Sequence, residues 1–117
     1  MRRLNGPRVL QLVLKEAPYI ATQDGDKELE VRRDSEWIRS RLLEAGTGLV
    51  REYDTVRYRL GYQAGAPCTV CRWGGTVWCE EDITVGPYRN GFSRTFSGGV
   101  WVIVNCFFSS VNKEQYN

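Results

Sequence analysis

The chain contains no histidine. That removes the commonest general base, pH switch and metal ligand at once. Ser-His-Asp, Cys-His and His-metal sites are excluded, which points away from an enzyme. Lysine is scarce too, with three against thirteen arginines. Arginine suits bidentate and stacked contacts with carboxylate or phosphate, although a coding sequence rich in G and C gives the same bias. Long apolar runs are missing. The longest is Val100 to Val104, far below the ~20 residues of a membrane span, so no membrane partner is expected. Met1-Arg2-Arg3 is followed only by Val9 to Leu14, broken by Gln11, which is no signal peptide. No N-x-S/T sequon occurs. The expected location is the cytoplasm or the inside of a particle, or outside the cell if the chain is a mature form. The glycines match neither a P-loop nor a dinucleotide fingerprint.

What is present is an ordinary globular composition: 117 residues, 42% hydrophobic and 26% charged. This reads as one domain over residues 1–117 with a polar tail from about Ser109, large enough for a core without metal or disulfide. The net charge of +2 is too small to imply a polyanion partner by itself.

Asn5-Gly6-Pro7 reads as a helix start, and Val9, Leu10, Val13, Leu14 and Ala17 fall on one helical face over 7–17, with Pro18 ending it. A strand is the alternative there. Tyr19–Gln23 and Glu28–Arg32 flank Asp24-Gly25, a hairpin signal. Asp34 or Ser35 caps a second helix that runs to Ala45 and buries Trp37, Ile38, Leu42 and Ala45. Residues 49–62 alternate as strand, with Val56, Tyr58, Leu60 and Tyr62 on one face and Arg51, Tyr53, Thr55, Arg57 and Arg59 on the other. A hairpin through Gly74-Gly75 follows, then strands at 83–85 and 92–96 and a central, doubly apolar strand at 100–108. The expected fold class is α+β, with two helices in the N-terminal half packed on a mainly antiparallel sheet of five or more strands.

Pro67 to Glu80 holds Cys68, Cys71 and Cys79, with Cys106 later. Cys68-x-x-Cys71 has zinc-knuckle spacing, so zinc is a candidate cofactor on Cys68, Cys71, Cys79 and Cys106. The second pair lacks that spacing, and the Gly-Gly register divides the thiols between two faces. A disulfide from Cys106 to Cys79 or Cys71 is the second reading and plain buried thiols the third. The leading expectation is no cofactor.

Tyr88, Arg89, Phe92 and Arg94 form an aromatic and arginine-bearing loop of the kind that makes protein contacts. Arg51, Tyr53, Arg57 and Arg59, with Arg39 and Arg41 nearby, form a second candidate face with the makings of a nucleic-acid surface. Glu80-Glu81-Asp82 reads as a solvated charge run. The expected function is non-enzymatic binding or assembly through contact with another protein, as a phage or viral accessory or structural component or as an inhibitor of a larger machine. A nucleic-acid-binding module and a secreted disulfide-bonded effector are the competing expectations.

Overall fold

The computed structural model describes residues 6–107. Asn5 as a helix cap and the polar tail from Ser109 lie outside them. The order is β1 (Val9–Leu14), α1 (Glu16–Gln23), β2 (Leu29–Arg33), α2 (Glu36–Leu42), β3 (Thr55–Leu60), β4 (Cys68–Cys79), β5 (Ile83–Val85), β6 (Arg94–Phe96) and β7 (Val100–Cys106). Five strands form one sheet in the order β1-β3-β4-β7-β2, and β5 and β6 form a separate two-stranded sheet. The class is α+β, as expected. The large sheet is mixed, because β1 runs parallel to β3, while the β3–β4, β4–β7 and β7–β2 pairs are antiparallel.

The first segment is a strand instead of a helix. Leu10, Leu12 and Leu14 alternate inward and are buried, whereas Val9 and Gln11 point out. The sequence Val-Leu-Gln-Leu-Val-Leu satisfies both periods, and pairing with β3 decides between them. The helix begins where the first one was expected to end. Pro18 sits in its first turn, where a missing N–H costs nothing. Asp24-Gly25 ends that helix instead of turning a hairpin. Asp24 N donates to Ile20 O, and Asp26 N and Lys27 N donate to Ala21 O, with Gly25 at φ 76°. Residues 19–23 are therefore helical, and β2 pairs with β7.

Ser35 caps α2 as expected, its hydroxyl accepting from Ile38 N at 3.1 Å. Ile38 and Leu42 are buried, but Trp37 is 49% exposed. The helix stops at Leu42 because Leu43 turns extended and bridges Val50, which leaves Ala45 in an exposed turn.

The Gly74-Gly75 hairpin is not formed. β4 runs on for twelve residues, pairing first with β3 and then with β7, and the glycines make a bulge between Trp73 and Gly75. A Cβ at Gly74 would come within 2.9 Å of Cys106 Sγ and 3.0 Å of Val104 Cγ1, so glycine lets β7 lie this close. The last strand is interior, as expected, between β4 and β2.

The sheet is curled. Four inter-strand spacings would separate β1 from β2 by about 19 Å in a flat sheet. Yet Arg32 on β2 reaches across to donate to Val13 O on β1 at 2.9 Å. The concave side holds the main core, in which Leu10, Leu12, Val56, Tyr58, Cys71 and Ile103 meet Tyr19 of α1 and Ile38 and Leu42 of α2. Polar groups there are paired. Tyr58 OH donates to Asn105 Oδ1 at 2.6 Å, Asn105 Nδ2 donates to Lys27 O at 3.4 Å, and Lys27 Nζ bonds Glu30 Oε1. Arg32 Nε takes the other Glu30 oxygen at 2.6 Å.

On the convex side the β5–β6 sheet forms a lid over one end only. Val85 and Phe96 of the lid pack on Val31, Val100 and Val102 of β2 and β7.

Candidate functional site

The alternation of β4 and its neighbours fixes what the lid leaves uncovered. Cys71 is buried in the concave core, so Val70 points to the convex side. Register carries that side across the sheet. Val70 lies opposite Arg57, Arg57 opposite Gln11, and Arg72 opposite Cys106. Past the bulge, Gly75 faces Val104 and Val77 faces Val102. Val102 is under the lid, whereas Val77 is 54% exposed, Val70 47% and Val9 39%. Cys106 is exposed as well. The result is a convex strip of branched aliphatic side chains and the one exposed thiol, Cys106, interleaved with Arg57 and Arg72 and running from the edge strand β1 to the central strands β4 and β7.

Sequence reasoning missed this strip. Folding 70–79 back on itself at Gly74-Gly75 put Val70 against Cys79 and hid the straight run from Val70 to Val77. The available signal was the alternation of Val70 and Arg72 about the inward Cys71.

The 88–94 loop is built differently from its expectation. Tyr88 and Phe92 stack on each other at 6.2 Å and pack into the lid's core. Asn90 Nδ2 donates to Ala17 O at 2.9 Å and Arg89 N to Asp26 Oδ2 at 2.6 Å, which ties the loop to α1 and the turn after it. Burial, followed by Asp26, pushes the Tyr88 hydroxyl pKa up. The two aromatics anchor the lid. Arg89, 74% exposed and 3.5 Å from Asp26, remains outward-facing. Arg94 lies exposed over the Phe96 ring at 4.6 Å.

The arginine face of 49–62 is shorter than expected: Thr55, Arg57 and Arg59 share the convex side of β3, but Arg51 and Tyr53 lie before the strand. β3 begins only at Thr55. Arg51 turns back to donate to Leu43 O at 2.9 Å. Tyr53 packs edge-on against Trp73 at 6.3 Å, with Arg8 over its ring at 5.5 Å. Arg59 bonds Tyr62 O and Gln63 O. Of the four, Arg57 alone stands exposed on the convex strip.

The thiols do not converge. Cys68 and Cys79 end the same twelve-residue strand, Cys71 points into the concave core, and Cys106 lies opposite Arg72. Among the described residues no group of three or more Cys, Asp or Glu side chains is placed to hold a metal ion. This overturns the zinc reading for Cys68, Cys71, Cys79 and Cys106. A Cys79–Cys106 disulfide is excluded likewise, since the two lie seven β4 positions apart, roughly 20 Å. Cys71 and Cys106 sit on opposite faces, and all four thiols are free. Only Cys71 is buried, so the buried-thiol reading holds for that residue alone. The carboxylates of 80–82 do not form a pair either. Asp82 accepts from Gly98 N at 2.9 Å, and Glu80 accepts from Trp78 Nε1 at 3.5 Å.

Burial is the main cause that pushes the Cys71 thiol from 9.0 up to about 11; Lys27 opposes the shift and Cys106 adds to it. The thiol is therefore protonated and a poor nucleophile at neutral pH. Tyr58 is pushed up as well, chiefly by burial and then by Glu30 and Cys71. The neutral forms belong to the folded state, so their stabilisation is complete below the unfolded values and is lost as pH rises toward the folded ones. For Cys71 the window is pH 9 to about 11, and the loss is roughly 3 kcal/mol at ~1.36 kcal/mol per pKa unit. Thermal unfolding across this window should show Cys71→Ala losing visibly less stability than the parent. Parallel curves would contradict the assignment.

The chain matches no protein family, no curated protein and no solved structure.

Proposed function

We propose that this protein is a non-enzymatic binding module that works by contact with another protein, as part of a larger assembly, through the convex strip. The observation that carries this reading is the exposure of Val70 and Val77 on a central strand of the sheet, while the lid buries Val102 opposite Val77 and Val100 beyond it. Leaving branched aliphatic groups in water forgoes about 25 cal/mol per Å², and a partner surface recovers it. Arg57 beside Val70 supplies the cationic, aliphatic-stemmed neighbour common at such contacts. Arg89 on the lid loop is the outward group through which that loop contributes.

The nucleic-acid reading has less to draw on, because Arg51 and Tyr53 lie before β3 and Arg51, Tyr53 and Arg59 are each turned to backbone or ring partners, which leaves Arg57 as the outward group of the four.

Cys106, exposed on the same strip, reports on the contact. In the isolated protein a maleimide should label it quickly while Cys71 stays unlabelled. In extracts of the source cell Cys106 should be protected, with labelling restored when the extract is denatured. Equal labelling of Cys106 in both settings would overturn the reading.

A further inference from the structure

A second site lies where the sheet's two edges approach each other. A cleft of ≈ 390 Å³ opens between the end of β1, the strand β2 and the lid. That volume falls within the range of small-molecule pockets. One carboxylate, Glu30, lines it, against the cations Lys15, Lys27, Arg32, Arg33 and Arg94. Glu30 is fully engaged, with Lys27 on one oxygen and Arg32 on the other. The two cations more than offset its charge, so the Lys27–Glu30–Arg32 group is net positive. Lys15, Arg33 and Arg94 make no ion pair among the described residues and are exposed at the cleft. The apolar part of the lining is equally defined: Val31 and Phe96 are buried and Phe92 is half-buried.

We propose that this cleft binds a small amphipathic anion, a carboxylate or phosphate head group carrying a short apolar body. The head group is held by Lys15, Arg33 and Arg94. The body lies on Val85, Phe92 and Phe96. Excess positive charge beside low-dielectric walls raises the local potential for anions. The apolar lining favours a ligand that brings its own hydrocarbon over a bare ion. This site is separate from the convex strip, so it stands or falls apart from the protein-contact reading.

The experiment is a titration of the full chain, followed by amide NMR shifts and calorimetry, with four probes: octanoate, octyl phosphate, 1-octanol and inorganic phosphate. Octanoate, octyl phosphate or both should bind at least roughly tenfold tighter than octanol and inorganic phosphate. The perturbed amides should centre on Val85, Phe92 and Phe96. Whichever of the two amphiphiles binds tighter identifies the head group. Arg33→Gln and Arg94→Gln should each weaken that binding roughly tenfold with the melting temperature unchanged, and Val77→Lys should leave it alone. Octanol binding as tightly as the anions would overturn the proposal. So would inorganic phosphate matching the amphiphiles, indifference to both arginine substitutions, or perturbations centred away from the lid.

Discussion

Lys27→Met should cost about 3 kcal/mol of stability, on the order of 10 °C in melting temperature for a domain of this size. Lys27 is 3% exposed and its partner Glu30 5%. Removing the ammonium leaves a buried carboxylate with Arg32 as its remaining cation, and breaking a buried pair on one side is far costlier than never having built it. The loss also spreads. Lys27 Nζ lies 5.8 Å from the centre of the Tyr58 ring, and the Lys27 carbonyl accepts from Asn105, which in turn holds Tyr58 OH. Arg39→Ala is the comparison. Its pair with Asp34 is about half exposed on the arginine side, and such surface pairs contribute about 0–1 kcal/mol. Urea denaturation of the two variants should separate them clearly. Equal losses would mean that the Lys27–Glu30 pair is not buried under the core.

Gly98→Ala should cost a similar amount, about 3 kcal/mol, at the upper end for overpacking. A Cβ there would sit 1.8 Å from Glu80 O and 2.6 Å from Glu80 C. Both are backbone atoms, so no side chain can rotate away and the chain itself must move. The position matters because Gly98 N donates to Asp82 and Gly99 N to Cys79 O, which together hold the turn into β7 against the end of β4. Displacing that turn lifts the lid from Val31, Val100 and Val102. Ser97→Ala, one residue earlier and exposed, should stay within about 0.5 kcal/mol of the parent. A Gly98→Ala variant as stable as Ser97→Ala would show that the β6–β7 turn does not pass this close to Glu80.

Local signals read correctly where one physical cause dominates. Ser35 caps a helix because its hydroxyl meets an otherwise unpaired N–H. Val56 and Tyr58 alternate inward because β3 has one buried face. Val100 to Val104 is interior because strand neighbours flank it on both sides. The misreadings came from residues with two uses. Pro18 ends a helix or fits its first turn. Asp24-Gly25 turns a hairpin or caps a helix. Gly74-Gly75 makes a tight turn or a bulge. In each case a long-range partner decides: β3 beside β1, β7 beside β2, and β7 again beside β4. Those pairings join residues far apart in sequence, and a local pattern does not encode them. The candidate site inherited the third error. A hairpin at Gly74-Gly75 separates Val70 from Val77 and leaves Tyr88 and Phe92 as the conspicuous contact residues, whereas the fold uses those two rings to anchor the lid.

The central claim is that the convex strip is covered by another polypeptide when the protein is at work. Site-specific photo-crosslinking in the source cell tests it most directly. A photoreactive residue at position 70 or 77 should yield a covalent adduct with a polypeptide, and one at the exposed lid position Thr84 should not. Adducts absent from both strip positions, or equally abundant at Thr84, would contradict the account.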